Sequence, residues 1–125
     1  MADDDADDRY LSSIAFKRLK SVHSLDFVPG GQELIDHLKS VGADNFPDLI
    51  LLDLNMPGKN GFETLKEIKS DPALQHLNIT IFSTSSSERD VSMAKKRGAN
   101  NYIVKPSNLN NLIETFRRIV GKFDG

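Results

Sequence analysis

The stretch Pro47-Asp48-Leu49-Ile50-Leu51-Leu52-Asp53-Leu54-Asn55-Met56-Pro57-Gly58-Lys59-Asn60-Gly61 decides how this chain is read. Leu49 to Leu52 form an unbroken apolar run that ends in a carboxylate and breaks at once into a Pro/Gly turn. A short Leu/Ile run bounded by turn residues suits a strand buried on both faces, as in a parallel sheet covered by helices. Asp53 then stands at the carboxyl end of that strand, where open α/β sheets gather their chemistry. An ionised carboxylate would be costly to bury in mid-strand, so its place at the strand's mouth is informative.

On either side, apolar spacing alternates between two periods. Leu11, Ile14, Ala15, Leu19 and Val22 recur at helical spacing and predict a helix over Asp7 to Ser21. Leu25-Asp26-Phe27-Val28 reads as a short strand stopped by Pro29-Gly30-Gly31. Leu34, Ile35, Leu38 and Val41 mark a helix ending near Gly42, and Leu65 and Ile68 mark another from Phe62 to Ser70. Ile79 to Phe82 is a further apolar strand. Ser85-Ser86-Ser87-Glu88 offers N-caps for a helix through Arg97, with Gly98 as its terminating glycine. Tyr102 to Val104 makes a last strand before Lys105-Pro106, and a final helix carries Leu109, Leu112, Ile113, Phe116, Ile119 and Val120. Strands alternating with helices imply right-handed crossovers and a parallel, doubly wound α/β sheet.

Composition narrows the function. The chain has 125 residues, enough for one domain with its own core. A net charge of -2 argues against an extended nucleic-acid footprint. Zero cysteines exclude disulfides, thiolate catalysis and cysteine-ligated metal. No apolar run approaches the roughly 20 residues that span a bilayer, and the acidic first residues are the reverse of a signal peptide's basic start. The expectation is a soluble, cytoplasmic protein that engages neither nucleic acid nor membrane.

Three further features fall at the ends of strands, or where such an end belongs. Asp3-Asp4-Asp5 could join Asp53 around a hard cation, for which oxygen ligands of this kind suit Mg²⁺. From composition alone the plainer reading is a solvated acidic tail or a first turn favoured by the helix dipole. Ser83-Thr84-Ser85 could offer a hydroxyl to an anionic oxygen built on Asp53, or could simply cap a helix. Lys105 could reach a carboxylate or phosphoryl group as a point charge, or could snorkel to solvent. Each is weak alone. Together they supply the parts of phosphoryl transfer: a nucleophilic oxygen, a divalent cation and donors for the equatorial oxygens.

The ordered set resembles a receiver domain of two-component response regulators, similar to the chemotaxis receiver. The resemblance rests on Asp3-Asp4-Asp5 with Arg9, the Leu51 to Gly61 run, Phe82-Ser83-Thr84-Ser85 and Tyr102-Ile103-Val104-Lys105-Pro106. It implies a flavodoxin-like sheet in the order 2-1-3-4-5 over residues 1–125, a single receiver domain without an output module. It implies Asp53 as phosphoacceptor for a sensor histidine kinase or a histidine phosphotransfer protein, switching a surface read by an unknown output protein. Asp4, Asp53 and the Asn55 backbone carbonyl would ligate Mg²⁺, with Asp3 acting through water. Ser83, 30 residues after Asp53 and 22 before Lys105, takes the switch hydroxyl role, with Thr84 the alternative by one register. Lys105 would contact the phosphoryl oxygens. Tyr102 matches the aromatic that swings inward on activation, against the plainer reading of an amphipathic strand-edge residue. Pro106 is a position where the family often has a cis bond.

One departure stands out. Only Met1 and Ala2 precede Asp3, so the first strand is expected to be missing or truncated. A truncated start ranks first as its origin. The gap could otherwise be filled by a strand-swapped or other homodimer, or the sheet could rearrange to four strands and displace Asp3 and Asp4. Two other functions compete. A pseudo-receiver would bind protein without phosphoryl turnover. A dehalogenase-like aspartyl-phosphate phosphatase would want a second aspartate at position 55, where this chain has Asn55. The leading reading is a switch and not a dedicated enzyme.

Overall fold

The computed structural model describes residues 1–56 and 58–124, so Pro57 of the quoted turn and the terminal Gly125 lie outside the described residues. Among the described residues, five α-helices and three strands follow in chain order, with a single 3-10 turn at Ala43–Asn45 before the first strand. They are α1 Ala6–Arg18, α2 Gly31–Val41, β1 Ile50–Leu52, α3 Gly61–Ser70, β2 Ile79–Ser83, α4 Glu88–Lys96, β3 Asn101–Val104 and α5 Leu109–Asp124. The helix starts follow local chemistry. Asp5 caps α1 by accepting from the Asp7 and Asp8 N–H groups, Asn60 caps α3 through Glu63 N, and Ser87 caps α4 through Asp90 N. Helix α1 is shorter than its apolar spacing predicts, because Lys20 turns left-handed at φ 52° just past the Leu19 cap.

The three strands form one parallel sheet in the order β1-β2-β3, in register at Leu51 with Thr80 and Ile81 with Tyr102. Beyond β1, Ala2 bridges Leu52 on one side and Val28 on the other, both parallel. Across the sheet the segments therefore run Val28, Met1–Asp3, β1, β2, β3, which is the expected 2-1-3-4-5 order. The expected strand at Leu25–Val28 is reduced to that single bridge. A ladder needs a partner along its length, and toward this segment Met1–Asp3 offers, among the described residues, bonds to Asp26 O, Val28 N and Val28 O. The four-stranded rearrangement that would displace Asp3 does not form. Ala2 N donates to Leu51 O at 2.8 Å, and Asp53 N donates to Ala2 O at 3.1 Å, setting Asp3 beside the end of β1.

Both faces of the sheet are covered. Ile50, Leu52, Ile79 and Ile81 pack with Leu34, Ile35, Leu65, Ile68 and Ala94 of α2, α3 and α4. Leu51 and Phe82 face the other way, onto Ala15 of α1 and Leu112 and Phe116 of α5. The Phe116 ring sits 6.0 Å from Phe16 and 5.9 Å from Phe82, tying the two helices to β2.

Gly61 fixes how closely α3 approaches the end of β1. A Cβ there would lie 2.3 Å from Asp53 O and 2.7 Å from Leu54 Cα, both rigid backbone atoms. Gly61→Ala is expected to cost about 2 kcal/mol and to displace the Asp53–Leu54 segment. Urea unfolding with an unchanged midpoint would contradict this.

Candidate functional site

The end of β1 delivers Asp53 to a nearly closed carboxylate cluster. Asp53 is 8% exposed and Asp3 is fully buried. Asp3 is held by its own backbone, since Asp3 N donates to Val28 O at 3.1 Å and Arg9 donates a guanidinium N–H to Asp3 O at 2.7 Å. Asp5 N adds a bond to Asp3 Oδ1 at 2.9 Å. Carboxylate oxygens of Asp3, Asp4 and Asp53 all lie within 4.8 Å of one another, with Asp4 on the exposed side.

Lys105 enters this cluster from the end of β3. Its backbone N–H donates to Ser83 O at 2.7 Å, which locks the ends of β2 and β3 together. Its Nζ donates to Asp3 Oδ2 at 2.8 Å, Asp8 Oδ2 at 3.2 Å and Asp53 Oδ2 at 3.5 Å, and lies 5.7 Å from the centre of the Phe82 ring. Burial alone would push the ammonium's pKa down. The Asp3 hydrogen bond, the charges of Asp53 and Asp3 and the Asp8 hydrogen bond together outweigh it and hold the pKa above its ordinary value. Asp53 moves the other way from a paired carboxylate. Burial raises its pKa and the Asp3 charge adds to the rise, while Lys105 and the Asn55 N–H, 3.4 Å from Oδ1, pull less strongly downward.

Ser83 is the last residue of β2 and is fully buried, whereas Thr84 is exposed beyond the strand. The Ser83 hydroxyl accepts from Ser85 N at 3.2 Å. Tyr102 lies on β3 outside the carboxylate cluster, half-buried, and its hydroxyl donates to Ser85 O at 2.7 Å. The isomer at Pro106, left open by the sequence, is trans here. The described peptide bonds are trans, the lower-energy isomer for X–Pro by about 0.5–1 kcal/mol.

A family model described as the response regulator receiver domain matches residues 1–117. The chain is a response regulator receiver domain. The receiver is 34% identical over 120 residues to the response regulator Rcp1 of Synechocystis sp., covering 94% of this chain and 81% of Rcp1. Among solved structures, the phosphorylated cyanobacterial phytochrome response regulator RcpA matches at TM-score 0.82 and 37% identity, over 94% of this chain and 86% of that one. The Mn²⁺-bound form of Rcp1 matches at TM-score 0.76 and 32% identity, over 94% and 87%. The receiver spans only 32% of the nitrate/nitrite response regulator NarL of Escherichia coli K12, with 44% identity over the 72 residues shared.

The receiver's donor set fits a hard divalent cation. Three carboxylates offer oxygens within 4.8 Å of one another against one ammonium, and oxygen-only donors of this kind suit a hard cation. Asp8, the third acceptor on Lys105, is the residue that sequence reasoning missed. An acid in a first helical turn reads as dipole compensation, and nothing in its spacing announces a partner at position 105.

Proposed function

We propose that this receiver takes a phosphoryl group on Asp53 from a phosphohistidine of a sensor kinase or phosphotransfer protein, in a Mg²⁺-dependent step. The observation that carries the reading is Asp53 at the mouth of β1, within one cluster with Asp3, Asp4 and the Lys105 ammonium. An Asp53 carboxylate oxygen attacks phosphorus, the bond to the donor imidazole nitrogen breaks, and an aspartyl phosphate forms. Asp3, Asp4, Asp53 and the Asn55 carbonyl would hold the cation, which supplies charge neutralisation for the transferring oxygens. Lys105 and Ser83 donate to those oxygens as the new charge forms. Drawing Ser83 inward pulls on Ser85, which bonds Tyr102, so the α4–β3–α5 surface changes for an output partner. The hydrolysis that resets the switch is slow and incidental, so the protein is a signalling element and not a dedicated enzyme. No helix among the described residues is long and apolar enough to cross a membrane, and the proposed place of work is the cytoplasm.

Titration with Mg²⁺, followed by beryllofluoride, separates this reading from a pseudo-receiver. The expected result is saturable Mg²⁺ binding that weakens as pH falls, beginning at higher pH than for an ordinary aspartate because Asp53's pKa is raised. Beryllofluoride is then expected to shift the amide signals of Ser83, Ser85 and Tyr102. No binding and no shift would identify a protein-binding module without turnover.

A further inference from the structure

We infer that Asp8 is a positioning residue that keeps Lys105 at the edge of the site while a divalent cation occupies the Asp3, Asp4 and Asp53 carboxylates. The inference rests on the phosphoacceptor reading above and concerns a residue that the reading does not use. An ammonium has three N–H donors and no acceptor. Lys105 Nζ meets three carboxylates, Asp3, Asp8 and Asp53, so each donor has one partner. Two of those partners, Asp3 and Asp53, belong to the converging group that fits a cation. Asp8 does not belong to it.

Asp8 also differs in origin. It sits on the first turn of α1, and its side chain is 34% exposed against 0% for Asp3 and 11% for Asp53. That turn is fixed at both ends. Asp8 N donates to the capping Asp5 Oδ1 at 3.3 Å, and the next residue, Arg9, donates to Asp3 O. The Asp8 carboxylate is thus presented from an anchored backbone to the helix side of the ammonium.

A cation entering the carboxylate group competes with Lys105 for Asp3 and Asp53, and the two positive charges repel at short range. With Asp8 present, Lys105 can yield both carboxylates and still keep a charged partner next to the site, ready to donate to a phosphoryl oxygen. Without it, Lys105 falls back on the carboxylates that the cation needs. Asp8 therefore favours cation binding through Lys105, over and above the general attraction of one more negative charge.

A double-mutant cycle on Mg²⁺ affinity tests this, with Asp8→Asn, Lys105→Met and their combination, read by calorimetry in the absence of any phosphodonor. Asp8→Asn is expected to weaken Mg²⁺ binding roughly five- to tenfold in the parent chain and less than twofold in the Lys105→Met background, and Asp8→Glu to recover most of the loss. Equal losses in both backgrounds would show a plain charge effect and overturn the inference. In case Lys105→Met does not fold, ¹⁵N signals of the Lys105 ammonium give a second measurement. At saturating Mg²⁺ they are expected to stay sharp in the parent and to broaden in Asp8→Asn, and identical signals would again overturn it. A parent chain that binds no Mg²⁺ would overturn the phosphoacceptor reading as well, whereas binding without coupling would overturn the Asp8 role alone.

Discussion

Asp53→Asn is expected to abolish covalent labelling by acetyl phosphate, so that intact mass shows no adduct where the parent chain gains one phosphoryl group in the presence of Mg²⁺. The amide cannot form the acyl phosphate, and the buried neighbour Asp3 is poorly placed to substitute. Asp3 is fully buried and has both oxygens engaged, Oδ1 by Asp5 N and Oδ2 by Lys105. Asp53 alone combines the strand-end position with a weak, 3.5 Å hold by Lys105. Its raised pKa sets the acid limit of the same assay, since the protonated carboxyl is no nucleophile and labelling should fall at a higher pH than for an exposed aspartate. An adduct retained by Asp53→Asn at another residue would refute the assignment.

The second large effect is on stability. Lys105→Met is expected to cost about 3 kcal/mol in Mg²⁺-free buffer at neutral pH, because it leaves the buried Asp3 carboxylate without its cation. Mg²⁺ should restore much of the loss. A ligand at a hundredfold excess over its Kd stabilises by about 2.7 kcal/mol. The pH dependence has a definite sign for each group. Lys105, with its pKa raised in the fold, contributes stability that is present below the ordinary lysine value and lost as pH rises through the folded one. Asp53, also raised, favours the fold only while protonated, so its contribution is present below the ordinary aspartate value and lost as pH rises through the folded one. Chemical denaturation with and without Mg²⁺ measures both. A Lys105→Met chain as stable as the parent in Mg²⁺-free buffer would show that Asp3 does not depend on this ammonium.

Much of the architecture was readable because burial imposes periods. The Leu/Ile runs of β1 and β2 and the spacing of Leu112, Phe116 and Val120 in α5 follow directly from two-sided covering of a parallel sheet. Leu25–Val28 looks just as strand-like, yet pairing is a property of the neighbour as well as of the segment, and its neighbour supplies only Met1–Asp3. The position of Asp3 was likewise invisible to periodicity. It depends on Ala2 being shared between Val28 and Leu52, a contact that spans the sequence and has no local signature. Ser83 reads as a loop hydroxyl but closes β2 from within the sheet, because Lys105 N bonds its carbonyl. Asp8 escaped because electrostatic partnership over long sequence separation leaves no pattern in the residues alone.

Ser85 gives the molecule a mechanical property. Its backbone N–H bonds the Ser83 hydroxyl, its carbonyl receives the Tyr102 hydroxyl, and its own hydroxyl donates to Asp90 Oδ2 at 2.6 Å in α4. Three elements thus meet on one residue. In the switch proposed above, a shift of the Ser83 hydroxyl would reach a strand and a helix through this single junction, as a crank turns two shafts from one pin.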